Sequence, residues 1–199
     1  MGTTGLIVIH DAYDKVYGDS NGKGKYVPVA TIYSTSDAYP RNGIMCWVCE
    51  YLKDRVIRNG LSNYFGDVNG MDDLAGIIIT YLKHVGSKTV LEVEKEYVLK
   101  NQSVIREPPI TAGFVYLLPT NIKPINTDAE YVYMIYPPQN YEMTYDKAMM
   151  ATKAPDEWLE IPFTEVFIRA YEREWFPNRL RRFFSGTASK FYERYCKTE

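Results

Sequence analysis

Two apolar runs open the chain, Gly5 to His10 and Tyr26 to Ser34, and in the second Val27, Val29, Thr31 and Tyr33 fall on alternate positions. Alternation of this kind predicts strands. Pro28 lacks the N–H that a ladder needs, so it belongs at the strand's beginning, at an edge or at a bulge. Between the runs, Asp11 to Lys25 holds Gly18, Asp19, Ser20, Asn21, Gly22 and Gly24 and reads as a turn-rich hairpin connection with a mobile tip, with room for a short strand at Lys15 to Tyr17.

From Asn42 the period becomes helical. Ile44, Trp47, Val48, Tyr51, Leu52 and Val56 form one apolar stripe, Glu50, Lys53 and Asp54 take the other side, and Asn59-Gly60 supplies a stop. A second helix is predicted from about Met71 to Val85, with Leu74, Ile77, Ile78, Tyr81, Leu82 and Val85 inward and Asp72 and Asp73 in its positive first turn. Gly86 ends it, and Gly76 is read as a point of close packing. Thr89 to Lys100 alternates Leu91, Val93, Tyr97 and Leu99 with Glu92, Glu94 and Glu96, the pattern of a strand with one wet face, with a helix as the rival. Thr111 to Leu118 and Glu130 to Tyr136 read as strands closed by Pro119 and Pro137-Pro138, and Tyr141 to Tyr145 as an edge. From about Phe163 the stripe Phe163, Val166, Phe167 and Ala170 predicts helix, broken at Pro177 and resumed through Leu180, Phe183, Phe184, Phe191 and Tyr195.

Strands, two helices, strands and then helices make an α+β protein, with a largely antiparallel sheet, helices on at least one face and a helical C-terminal region. The expected division is a core over residues 1–150 and a helical appendage over 151–199 of the same domain, punctuated by Pro155 and Pro162. A length of 199 residues with 46% hydrophobic and 24% charged residues fits this. A formal charge of −2 lacks the footprint of a general nucleic-acid coat protein. No apolar run reaches the length of a spanning helix and no leader opens the chain, so a cytoplasmic protein is expected, in the host cell if the source is a virus. Three cysteines, too few for a disulfide framework, favour a reducing compartment. The unusual number is 18 tyrosines, which suit strands, core edges and contact patches.

Candidate chemistry is sparse. Cys46-Trp-Val-Cys49 near a helix start raises a redox dithiol, against the reading of two small helix residues. Zinc would need ligands from His10, His84 and Cys196, and no second ligand pair stands at typical spacing, so no metal or cofactor is expected. His10 closes the first strand beside Asp11, a place for a site or for a hydrogen-bonded structural histidine, and His84 matches a helix end. Asp67 to Asp73 reads as a turn and helix cap, not a calcium loop. Neither a phosphate loop nor a Gly-x-Ser-x-Gly elbow occurs. Pro177 to Glu199 carries Arg179, Arg181, Arg182, Lys190, Arg194 and Lys197 among Phe183, Phe184, Phe191, Tyr192 and Tyr195; a basic aromatic helix there could contact nucleic acid through Arg179, Arg181 and Arg182, or dock by its rings with the arginines in water.

The richest segment is Tyr33-Ser-Thr-Ser-Asp37-Ala-Tyr39-Pro-Arg41-Asn-Gly43, a polar crossover from a strand to the first helix. With the opening Met1-Gly-Thr-Thr-Gly5 it resembles a family of small phage, bacterial and lower-eukaryote proteins of unassigned activity. These begin Met-Gly/Ser-Thr-Arg-Gly and carry Tyr-x-x-Trp-Asp-x-Tyr-Pro-x-Gly-x-Gly. Gly2, Thr3, Gly5, Tyr33, Asp37, Tyr39, Pro40 and Gly43 match; Thr4, Ser36 and Asn42 stand where the family has arginine, tryptophan and glycine. The resemblance covers roughly the first 45 residues and brings no activity with it.

The expectation is therefore a non-catalytic accessory protein, possibly encoded by a phage, that binds a protein partner or a small anionic ligand through Tyr33, Asp37, Tyr39 and Arg41, with self-association open. The local alternative has Asp37 capping a turn, Tyr39 packing and Asn42 capping the helix. A looser similarity is to the start of N-terminal-nucleophile hydrolases, such as choloylglycine hydrolases and class II glutamine amidotransferases. That chemistry needs a free N-terminal Cys, Ser or Thr, which here implies cleavage before Thr3 or Thr4.

Overall fold

The computed structural model of the chain describes residues 2–12, 26–53, 56–58, 67–83, 115–138 and 165–197. The strands are β1 (Gly5–Ala12), β2 (Tyr26–Ser34), β3 (Val56–Arg58), β4 (Asp67–Asn69), β5 (Val115–Leu118), β6 (Tyr131–Tyr136), β7 (Phe167–Glu174) and β8 (Arg179–Thr187). Six form one sheet in the order β5-β2-β1-β6-β7-β8, while β3 and β4 pair separately. Every neighbour in the large sheet is antiparallel except β1 and β6, which run parallel with Gly5 beside Tyr131 and Ile9 beside Ile135. The helices are α1 (Ile44–Leu52), α2 (residues 70–83) and α3 (Ala188–Tyr195). The protein is α+β.

The two faces of the sheet differ. Ile7, Ile9, Ala30, Ile32, Tyr133, Ile135, Ile168, Ala170 and Phe184 meet α1, α2 and α3 in the main core. Leu6, Val8 and Val132 project to the other face, where Ala129 joins them in a smaller cluster. β1 is thus apolar on both sides, which explains its nearly continuous hydrophobic run. Pro28 sits opposite His10 at a register shift in the β1–β2 ladder, so the missing N–H falls at a bulge.

α1 is shorter than its stripe. It ends at Leu52 and Val56 begins β3. Cys46 and Cys49, outside the predicted stripe, are buried with Met45, because α3 packs along a second flank of α1 and Cys46 is disulfide-bonded to Cys196. The 67–73 segment is also more than a turn, since Asp67–Asn69 pairs in parallel with Val56–Arg58 before α2 begins. Gly70, at the junction, has φ 87, a conformation that glycine reaches without steric cost.

The largest correction lies beyond residue 165. The segment predicted as helix is the β7–β8 hairpin, and among the described residues helix returns only at Ala188. A spacing that mimics a helical stripe gives way here to cross-strand pairing. Glu172 lies opposite Arg181 and Glu174 opposite Arg179, and opposite charges directly across a ladder favour strands. β7 pairs with β6, so chain from both sides of residue 150 shares one sheet. The expected features at Lys15 to Tyr17, Asn59-Gly60, His84, Val85, Gly86, Thr89 to Lys100 and Tyr141 to Tyr145 lie outside the described residues.

Gly76 does not mark close packing. It is exposed on α2, and a Cβ built there meets nothing within 4 Å. Gly76→Ala is therefore expected to stabilise the protein by about 1 kcal/mol through helix propensity, read as a higher urea midpoint with an unchanged slope.

Candidate functional site

The crossover after β2 is held from below by the backbone. Ala38 N–H donates to the Thr3 carbonyl (3.1 Å), Ile44 N–H to the Asp37 carbonyl (2.7 Å), and Asn42 N–H to the Tyr195 carbonyl (3.4 Å). The buried Tyr133 hydroxyl reaches up from β6 and donates to the Ala38 carbonyl at 2.6 Å. Burial drives the Tyr133 pKa well above its ordinary value, so the hydroxyl keeps its proton for that bond. Gly43, the N-cap of α1, closes the loop so tightly that a Cβ would lie 2.0 Å from the Tyr39 carbonyl oxygen and 2.6 Å from that of Asp37.

Above this base, Asp37, Tyr39, Arg41 and Asn42 are exposed. Asp37 and Asn42 take φ values of 58 and 53, in the left-handed region that non-glycine residues seldom adopt. The Tyr39 hydroxyl donates to Asp37 Oδ1 at 3.4 Å. The local alternative is corrected at one point, because Gly43 and not Asn42 caps α1, and no side chain caps it. The first amide of α1 is already given to the Asp37 carbonyl, which reduces what the helix start offers an anion.

Tyr33 is turned elsewhere. Its hydroxyl donates to Asp128 Oδ1 at 2.8 Å, and its pKa is pushed up to about 12, first by burial and then by the Asp128 carboxylate. Thr4 meets the same turn, donating from its hydroxyl to the Asp128 carbonyl at 2.8 Å. Tyr33 thus braces the crossover against the 127–130 turn, while Asp37, Tyr39 and Arg41 face solvent.

The other candidates resolve as follows. Cys46 is bonded to Cys196 and not to Cys49, so the redox-dithiol reading of this pair is not met, and Cys46 is more than a small helix residue. Cys49 is free and buried, and burial followed by the nearby Glu165 carboxylate raises its thiol pKa well above the ordinary range, which leaves it unreactive. Arg179, Arg181 and Arg182 lie on strand β8 instead of a helix. Arg179 pairs with Glu174, and Arg181 with Glu172 (3.1 Å) and Glu174 (3.2 Å). Among the described residues no three His, Cys, Asp or Glu side chains are grouped to hold a metal ion, and no helix is long and apolar enough to cross a membrane.

Sequence reasoning missed the hairpin tip. Trp175 and Phe176 are exposed between β7 and β8, Phe176 at 98%. Glu174 and Arg179 close the ladder beneath them, near the start of β6, which lies beside the start of β1. The tip and the crossover therefore stand at the same end of the sheet. Charge alternation with an intervening Trp-Phe-Pro-Asn turn was the signal available for this hairpin. Arg173 supports the tip from within. Its guanidinium donates to the carbonyls of Ala129 (2.8 Å), Pro124 (2.9 Å) and Ile125 (3.3 Å) and to Asn178 Oδ1 (2.7 Å), and lies 4.8 Å from the Trp175 ring centroid.

No family model, curated protein or solved structure matches the chain.

Two outcomes test this architecture. Gly43→Ala is expected to cost about 2–3 kcal/mol by overpacking against backbone carbonyls, measured by urea denaturation. The raised Tyr33 pKa means that between pH 10 and 12 the unfolded chain releases a proton the folded chain retains, so its contribution is present below pH 10 and lost as pH rises through 12. Tyr33→Phe is expected to remove that part of the alkaline loss of stability.

Proposed function

We propose that the protein is a non-catalytic binding protein and that the crossover end of its sheet receives a protein partner. The observation that carries this reading is the set of exposed side chains held there on a fixed backbone: Tyr39 and Arg41 on the crossover, and Trp175 and Phe176 on the hairpin tip. Aromatic rings and arginine supply most of the energy at protein interfaces. A loop held by several backbone bonds loses little further entropy on docking. Asp37, whose carboxylate accepts from Tyr39, orients that ring.

A protein partner suits this end better than a small anion. The Ile44 amide is already engaged by Asp37, and Arg41 stands beside the Asp37 carboxylate in sequence, so the loop carries mixed charge. Nucleic acid is favoured less, because Arg179 and Arg181 are paired with glutamates.

The test is affinity capture from the source cell with wild type, Tyr39→Ala, Arg41→Ala and Phe176→Ser, each checked by thermal melting. Loss of a specifically retained protein in the variants, with melting temperatures near wild type, is expected. Equal retention by all four rejects this end of the sheet as the binding surface.

A further inference from the structure

At the opposite end of the sheet the parallel pair finishes side by side, and the residues that follow Ile9 and Ile135 in register are His10 and Tyr136. The His10 ring stacks on Tyr136 with centroids 4.6 Å apart and planes 14° from parallel. The Arg169 guanidinium carbon lies 4.9 Å from the Tyr136 centroid and 5.9 Å from that of Phe167. Tyr26 meets Tyr136 edge-on at 5.1 Å. The register shift in the β1–β2 ladder falls at His10, and such bulges re-aim side chains beside sites.

Among the described residues, three buried side-chain atoms have no hydrogen-bond partner: His10 Nδ1, Thr31 Oγ1 and Arg169 Nε. Register and alternation put all three on the sheet face opposite the helices, with Thr31 across from Val8, the neighbour of His10 on that face, and Arg169 across from Met134. Thr31 is 1% exposed. Buried polar atoms are ordinarily paired; Thr31 and Arg169 are separated by β1 and β6 in one cross-strand row, so the deficit that one small ligand would offset is that of His10 and Arg169, which both lie against Tyr136. Arg169 also differs from Arg173, Arg179 and Arg181 of the same hairpin, and from the exposed Arg182 in being half-buried. Carbonyls enclose Arg173, and glutamates pair with Arg179 and Arg181, whereas Arg169 meets no carboxylate among the described residues. Burial lowers the His10 pKa against the opposing effect of backbone hydrogen bonding at Ile135 and Val8, which favours the neutral imidazole and leaves Arg169 to supply the positive charge.

We propose that His10, Tyr136 and Arg169 form a binding site for a small carboxylate carrying a planar apolar body. A guanidinium edge matches the flat carboxylate and its charge. The rings of Tyr26 and Phe167 offer aromatic surface to the remainder of the ligand, while Tyr136, buried against His10 and Arg169, positions both. The neutral imidazole supplies a further polar contact.

Benzoate titrated into the intact protein is the probe, with inorganic phosphate in a parallel arm. The readouts are the arginine side-chain Nε–H resonances and the backbone amides of β1, β6 and β7. Saturable benzoate shifts are expected at Arg169 and beside His10 and Tyr136, with weaker or absent effects of phosphate. Binding is expected to fall about ten- to a hundredfold in Arg169→Gln. Arg169→Lys keeps the charge without the fork and is expected to weaken binding in a protein that retains the cation, so it serves where the glutamine variant unfolds. Tyr39→Ala, at the other end of the sheet, is expected to leave benzoate affinity unchanged, so failure here and failure of the partner surface are separable. Unshifted resonances, undiminished affinity in a folded Arg169 variant, or tighter saturation by phosphate than by benzoate would each overturn the proposal.

Discussion

The hydrogen bond from the buried Tyr133 hydroxyl to the Ala38 carbonyl joins the centre of the sheet to the segment that the outer surface depends on. A tyrosine hydroxyl inside an apolar core requires a partner, and here the partner is the backbone of the crossover. The chain must therefore pass directly over the end of β6. Gly5 permits that passage, since a Cβ there would lie 2.4 Å from the Ala38 Cβ. With Ala38 fixed, its amide reaches the Thr3 carbonyl, Asp37 receives the Ile44 amide, and α1 starts in a set direction over the core. The strained backbone at Asp37 and Asn42 is supported by this framework, which holds exposed side chains in place without a scaffold of their own.

Arg173 does comparable work at the other side of the same end. Its donors collect three carbonyls of the 124–129 turn and the Asn178 side chain, binding that turn to the β7–β8 hairpin. The turn also supplies Asp128 to Tyr33 and Ala129 to the smaller apolar cluster. A charged side chain thus organises polar backbone that would otherwise lack partners, and the surface bearing Trp175 and Phe176 stands on an interior polar framework.

Local pattern carried much of the architecture. The continuous apolar run at Gly5 to His10, the alternation at Tyr26 to Ser34, the apolar face of 70–83, and the strand at Tyr131 to Tyr136 all follow from side chains whose burial is decided by near neighbours. What was illegible depends on distant partners. Phe167 and Ala170 share a helical spacing by coincidence, and only the glutamate–arginine register across the hairpin makes that segment a strand. Cys46 pairs across 150 residues with Cys196 and not with its neighbour Cys49, an outcome no local spacing contains. At the candidate site the exposed positions of Asp37, Tyr39 and Arg41 were readable from a polar crossover, whereas the diversion of Tyr33 to Asp128 required the fold. The orphaned Nδ1 of His10 was likewise invisible, because a strand-end histidine is ordinarily hydrogen-bonded and its partnering depends on what Arg169 and Tyr136 bring from other strands.

The bond between Cys46 and Cys196 has a topological meaning as well. It turns the chain from the first helix to the last into a covalent ring, from which the described elements β1, β2 and the crossover extend. A protease that nicks the backbone anywhere inside that ring yields two pieces that remain a single molecule until a reductant parts them. Damage to an intervening connection can therefore leave the assembled sheet and its two ends in register.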